Sequence, residues 1–115
     1  MRPRLQAIEL QFSKLEQQLA LAQKTPLLMA QSDWRTATGT ILQDMLGASA
    51  DARNVAIRVG PPHDDVMKLL DDVDFVANEF RMAFDYDPDA THFIRATRAE
   101  KTTRAELDSI LNSLH

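Results

Sequence analysis

The chain has 115 residues, 44% hydrophobic and 26% charged, with a net charge of −4 and no cysteine. That length supplies one core and not two, so a single helical domain over 1–115 is expected. The composition excludes a disulfide framework, thiol catalysis and thiolate zinc, and its acidity argues against a generally basic nucleic-acid binder.

Three glycines are few, and the five prolines fall between periodic segments, which favours helices over turn-rich sheets. No apolar run approaches the roughly 18 residues of a membrane span, so no membrane partner is expected. The opening MRPRLQAIEL carries charges every few residues and lacks the apolar core of a secretory signal, so a cytoplasmic location is expected.

The first segment, Arg4 to Lys24, repeats Leu5, Ile8, Phe12, Leu15, Leu19 and Ala22 at alternating steps of three and four. That is a helical seam, long enough to pack inside a bundle and short for a coiled coil on its own. Pro3 suits its first turn, and Thr25-Pro26 ends it. Leu27 to Gln31 reads as an apolar connector draped over the core.

Ser32 or Asp33 is placed to cap a second helix. Its expected face is Thr38, Ile41, Met45, Ala48, Ala52, Val55 and Val59, up to the stop at Gly60-Pro61-Pro62. Gly39 and Gly47 weaken this helix, and Val55–Val59 alternates like a short strand. A lone strand has nothing to pair with, so the expectation is a helix, kinked near Gly47.

The third segment, Pro62 to Tyr86, is the organising one. Val66, Leu69, Leu70, Val73, Val76, Ala77, Phe80, Ala83 and Phe84 share its broad face, and Phe75, Met82 and Tyr86 form a narrow stripe opposite. A helix apolar on two faces needs two neighbours, either helices of its own chain or another molecule. Asp64 and Asp65 sit in the first turn, where the helix dipole favours carboxylates.

Asp87 with Pro88 opens a fourth segment to Leu114, whose face is Phe93, Ala96, Leu107, Ile110, Leu111 and Leu114. Glu100 and Thr103 interrupt that face. The helix therefore buries a polar layer, frays, or restarts at Thr103, where Thr103–Glu106 has capping-box spacing.

The chemical motifs are weak. His63-Asp64 has the form of a metal-binding HD pair, but the only other histidines, His92 and His115, lie downstream. Asp85, Asp87 and Asp89 alternate like the start of an EF-hand loop, yet Ala90 and Ala96 stand where that loop needs glycine and glutamate. Asp71, Asp72, Asp74 and Glu79 lack the Glu-x-x-His partners of a di-iron bundle. No nucleophile elbow is present. No catalytic residue, metal or cofactor is expected, and the chain does not read as an enzyme.

Two surfaces remain. The stripe of Phe75, Met82 and Tyr86, helped by Leu42, Leu46 and Ile57 of the second helix, is a candidate subunit or partner interface. Arg95, Arg98, Lys101 and Arg104, with Arg2 and Arg4 near the other end, are candidate contacts to nucleic acid or an acidic partner. Steps of three wind the four around the helix instead of aligning them.

The expected fold is therefore all-α, an antiparallel four-helix bundle whose last helix is continuous or broken near Thr103. The expected function is a non-catalytic interaction module that forms a homo-oligomer, a dimer in the simplest case, and serves an unknown protein partner as adaptor, chaperone or accessory factor. The alternative is a small DNA-binding regulator using the basic fourth helix.

Overall fold

The structure, a computed structural model, describes residues 1–59, 64–86 and 91–113, with the side chains of Val59, Asp85 and Tyr86 left aside. Four α-helices follow in order: α1 (Arg2–Lys24), α2 (Ser32–Val59), α3 (Asp64–Tyr86) and α4 (Thr91–Ser113), with a short 3-10 turn at Pro26–Ala30 between the first two. No strand occurs among the described residues, and Val55 to Val59 is helical. The molecule measures 45 × 21 × 20 Å. At about 1.5 Å per residue, the longest helix alone spans nearly the whole length.

Each helix packs on its neighbours in the chain, and α4 returns to α1, while the backbones of the diagonal pairs stay apart. Contacts between α1 and α4 run from Arg2 with Leu111 to Arg104 with Glu9 and Ser13. Numbers fall on one helix as they rise on the other, so the two are antiparallel. The α3–α4 pair shows the same inversion, Lys68 meeting Glu106 and Glu79 meeting His92. This is the expected up-down bundle.

The seam of α1 is buried for most of its length: Leu5, Ile8, Phe12 and Leu15 are fully enclosed and Ala22 nearly so, while Leu19 is half-buried. Pro3 lies in the first turn, and Thr25 leaves the helical region before Pro26. Helix α3 contributes most to the core, with Val66, Leu69, Leu70, Val73, Val76, Ala77 and Phe80 buried in one cluster. Both α2 and α4 pack on that broad face.

Two expectations need correction. The α2 face is turned slightly from the predicted one. Thr38, Met45 and Ala52 are buried as expected, but the line continues through Leu42, Ser49 and Ala56, while Ile41, Ala48 and Val55 are only half-buried. The reason is Ser49. Its hydroxyl donates to the Leu70 carbonyl of α3 at 3.4 Å, so a polar residue occupies a core position that a count of apolar side chains assigns to its neighbour. The connector is less draped than expected: Leu28 and Met29 are half-buried, whereas Leu27 is 78% exposed. Of the alternatives open for α4, the continuous helix is the one found. It runs unbroken and buries the polar layer, with Glu100 and Thr103 both enclosed.

Helix α2 also runs unbroken through Gly39 and Gly47, where an added methyl would meet nothing within 4 Å. Neither glycine is there to let another chain segment approach. Its start is tied down by Trp34, whose indole N–H donates to the Gln18 carbonyl at 3.2 Å and whose ring meets Phe84 edge-on at 5.3 Å.

Candidate functional site

The outer face of α3 carries the predicted stripe. Phe75 is 44% exposed and Met82 41%, although the broad face of the same helix is already enclosed by α2 and α4. Among the described residues no helix fully encloses these two side chains, although Phe75 borders α4. Tyr86 ends α3, and its side chain lies outside the described residues. Of the supporting residues on α2, Leu42 belongs to the core, Leu46 is half-buried against it, and Ile57 is exposed.

Glu79 lies along the same stripe, on the side toward α4, and sequence reasoning gave it no role. It is 8% exposed, with His92 Nδ1 at 2.9 Å and an Arg95 guanidinium nitrogen at 3.9 Å. A buried carboxylate must find such partners, because an unpaired one costs several kcal/mol. Their spacing follows from the antiparallel register of α3 and α4. Farther along, Phe75 and Arg98 line one groove of about 350 Å³ with Lys68, Asp72 and Thr102. The fold thus brings together one residue of the apolar stripe and one of the basic set.

The basic set itself is divided. Arg95 turns toward α3 and Glu79. Arg104 turns the other way, donating to the Glu9 carbonyl and Ser13 on α1 and lying 3.6 Å from Glu16 and 3.3 Å from Asp108. Arg98 and Lys101 are exposed between them. Steps of three on a helix produce this winding, and no single basic stripe results.

Asp71, Asp72 and Asp74 of α3 are engaged within the bundle. Arg53 of α2 bridges Asp71 at 3.0 Å and Asp74 at 3.2 Å, while Lys68 holds Asp72 at 3.1 Å and reaches Glu106 at 3.6 Å. No group of three or more metal-ligating side chains converges among the described residues. His63, Asp87, Asp89, Ala90 and His115 of the weaker motifs lie outside those residues.

Sequence reasoning also missed a pairing across α1 and α4. Glu100 is 4% exposed and stands beside Glu16. Burial pushes its carboxyl from an ordinary 4.5 up to about 8. The Glu16 carboxylate adds to the rise, first by accepting a hydrogen bond from the protonated acid and then by its charge; Arg104 and Lys101 offset part of it. One Glu100 oxygen, Oε1, is buried without a hydrogen-bond partner among the described residues. The only hint in the sequence was an acid on the buried face of the fourth helix.

Among the described residues, no helix is long and apolar enough to cross a membrane. Comparison with known proteins gives no match: no protein family, no curated protein and no solved structure is similar to this chain.

Proposed function

We propose that this chain is a non-catalytic helical interaction module, a cytoplasmic homodimer that serves a protein partner as adaptor, chaperone or accessory factor, and that the outer α3/α4 face carries the contact between copies. The observation behind the reading is the exposure of Phe75 and Met82 on a helix whose core face is already satisfied. Exposed apolar residues scattered singly are ordinary, but aromatic and methionine side chains at helical spacing on one stripe suit an interface core.

Two further features favour a second copy as the occupant. A twofold contact places a patch against itself, so the patch must not repel itself. This face mixes Lys68, Arg95 and Arg98 with Asp72 and Glu79, although the chain as a whole is acidic. Its size also suits the role. A flank 45 Å long and 20–21 Å wide has room for the roughly 800 Å² per partner of an ordinary stable interface.

The test is the double substitution Phe75→Asp, Met82→Asp, followed by light scattering and circular dichroism. A carboxylate forced into a closed apolar contact costs several kcal/mol, enough to weaken association by 100-fold or more. Because both side chains are exposed in the single chain, helicity should be retained. The expected result is a folded monomer where the parent is a dimer. Equal masses for parent and variant would reject the face as the contact.

A further inference from the structure

The α1/α4 flank holds a second feature, independent of the proposed dimer face. Between the end of α1 and the start of α4 lies a cleft of about 570 Å³, within the range of small-molecule sites. Its walls are largely apolar, with Leu19, Met29 and Phe93 among them, and both Glu16 and Glu100 line it. Glu100 is enclosed, yet its Oε1 has no hydrogen-bond donor among the described residues. A buried acceptor left so is costly, and a donor brought by a ligand would relieve it.

We propose that this cleft binds a primary ammonium group on an apolar stem, with the ammonium between the Glu16 and Glu100 carboxyls and the stem along Leu19, Met29 and Phe93. Two carboxyls without a third ligating side chain suit an ammonium better than a divalent ion, which needs more converging oxygens. A fatty carboxylate would meet like charge at the same place. The groups facing the pair are Arg104, which holds Glu16 at 3.6 Å, and the exposed Lys101; both belong to α4.

Binding carries a proton signature. In the free protein near pH 7, Glu100 holds a proton and donates it to Glu16. An ammonium has three donors of its own, so it takes the place of that shared proton, which leaves to solvent. Affinity therefore rises with pH, by up to about tenfold per unit between about pH 6 and pH 8, and levels off above.

The experiment is titration calorimetry with 4-phenylbutylamine in two buffers of different ionisation enthalpy. Its neutral counterpart 4-phenylbutan-1-ol is the control, and Nα-acetyl-lysine methylamide is the peptide-borne form of the same group. Release of about one proton per bound amine is expected near pH 7, with the alcohol at least about tenfold weaker. The tighter of the two amines then tells whether the ammonium arrives on a free ligand or on a lysine side chain. Glu100→Gln should abolish proton release. Ala20→Trp, placed at an exposed position lining the cleft, should abolish binding while circular dichroism stays unchanged. Absence of amine binding, equal binding of the alcohol, or amine binding without proton release would overturn the assignment.

Discussion

Replacing Phe80 by alanine will lower the stability of the fold by about 3–5 kcal/mol, the loss typical of an aromatic ring removed from a closed core. Phe80 is fully buried, stacked on Phe84 at 5.9 Å and edge-on to Phe93 of α4 at 6.0 Å. Phe84 in turn meets Trp34 of α2, so one aromatic group joins three helices at one end of the bundle. Against a total stability of roughly 5–15 kcal/mol, the loss takes a large share and should be plain in urea unfolding followed by circular dichroism. Met82→Ala, on the exposed stripe of the same helix, should change monomer stability by less than about 1 kcal/mol. A Phe80→Ala loss below that level would mean that α4 does not pack on α3 as described.

Raising the pH through neutrality will destabilise the fold, and Glu100→Gln will remove most of that slope. The folded state holds a proton on Glu100 up to about pH 8, whereas the ordinary value for the unfolded chain is 4.5. Stability from this group is therefore fully present below about 4.5 and is lost as pH rises through about 8. At about 1.4 kcal/mol per unit, the accumulated loss is on the order of 5 kcal/mol. Glu106 is also raised, first by burial and then by Asp72, so a shallower slope in the same direction should persist in the variant. Denaturant unfolding at pH 5, 7 and 9 reads the difference. Parallel profiles for parent and Glu100→Gln would show that the Glu16–Glu100 pair is not closed in solution.

Helical periodicity carried most of the fold. The α1 seam and the broad face of α3 are read directly from the spacing of large aliphatic side chains, because a helix that buries one continuous stripe has no other way to place them. Where small or polar residues take core positions, that signal fails. Ser49 and Ala56 draw α2 round from the face that Ala48 and Val55 suggested, and Glu100 with Thr103 left a buried polar layer, a frayed end and a restart all open. Polar residues can occupy such positions when a partner on another helix satisfies them, and that partner is invisible to periodicity within one segment.

The candidate surfaces divide the same way. The exposure of Phe75 and Met82 was legible in their angle from the α3 core face. The pairing of Glu79 with His92 and of Glu100 with Glu16 was not, since each depends on the register of α4 against a different neighbour. The basic set shows both sides of the matter. Steps of three announced the winding, but which flank each side chain would reach, α3 for Arg95 and α1 for Arg104, required the bundle.

The most direct test of the proposed self-association is sedimentation equilibrium of the unaltered chain over a wide concentration range, read together with methyl NMR of Met82. The expected result is a mass that rises from 13.0 kDa toward twice that value, with the Met82 methyl signal shifting or broadening over the same range. A mass of 13.0 kDa at every concentration, with the Met82 signal unchanged, would contradict it.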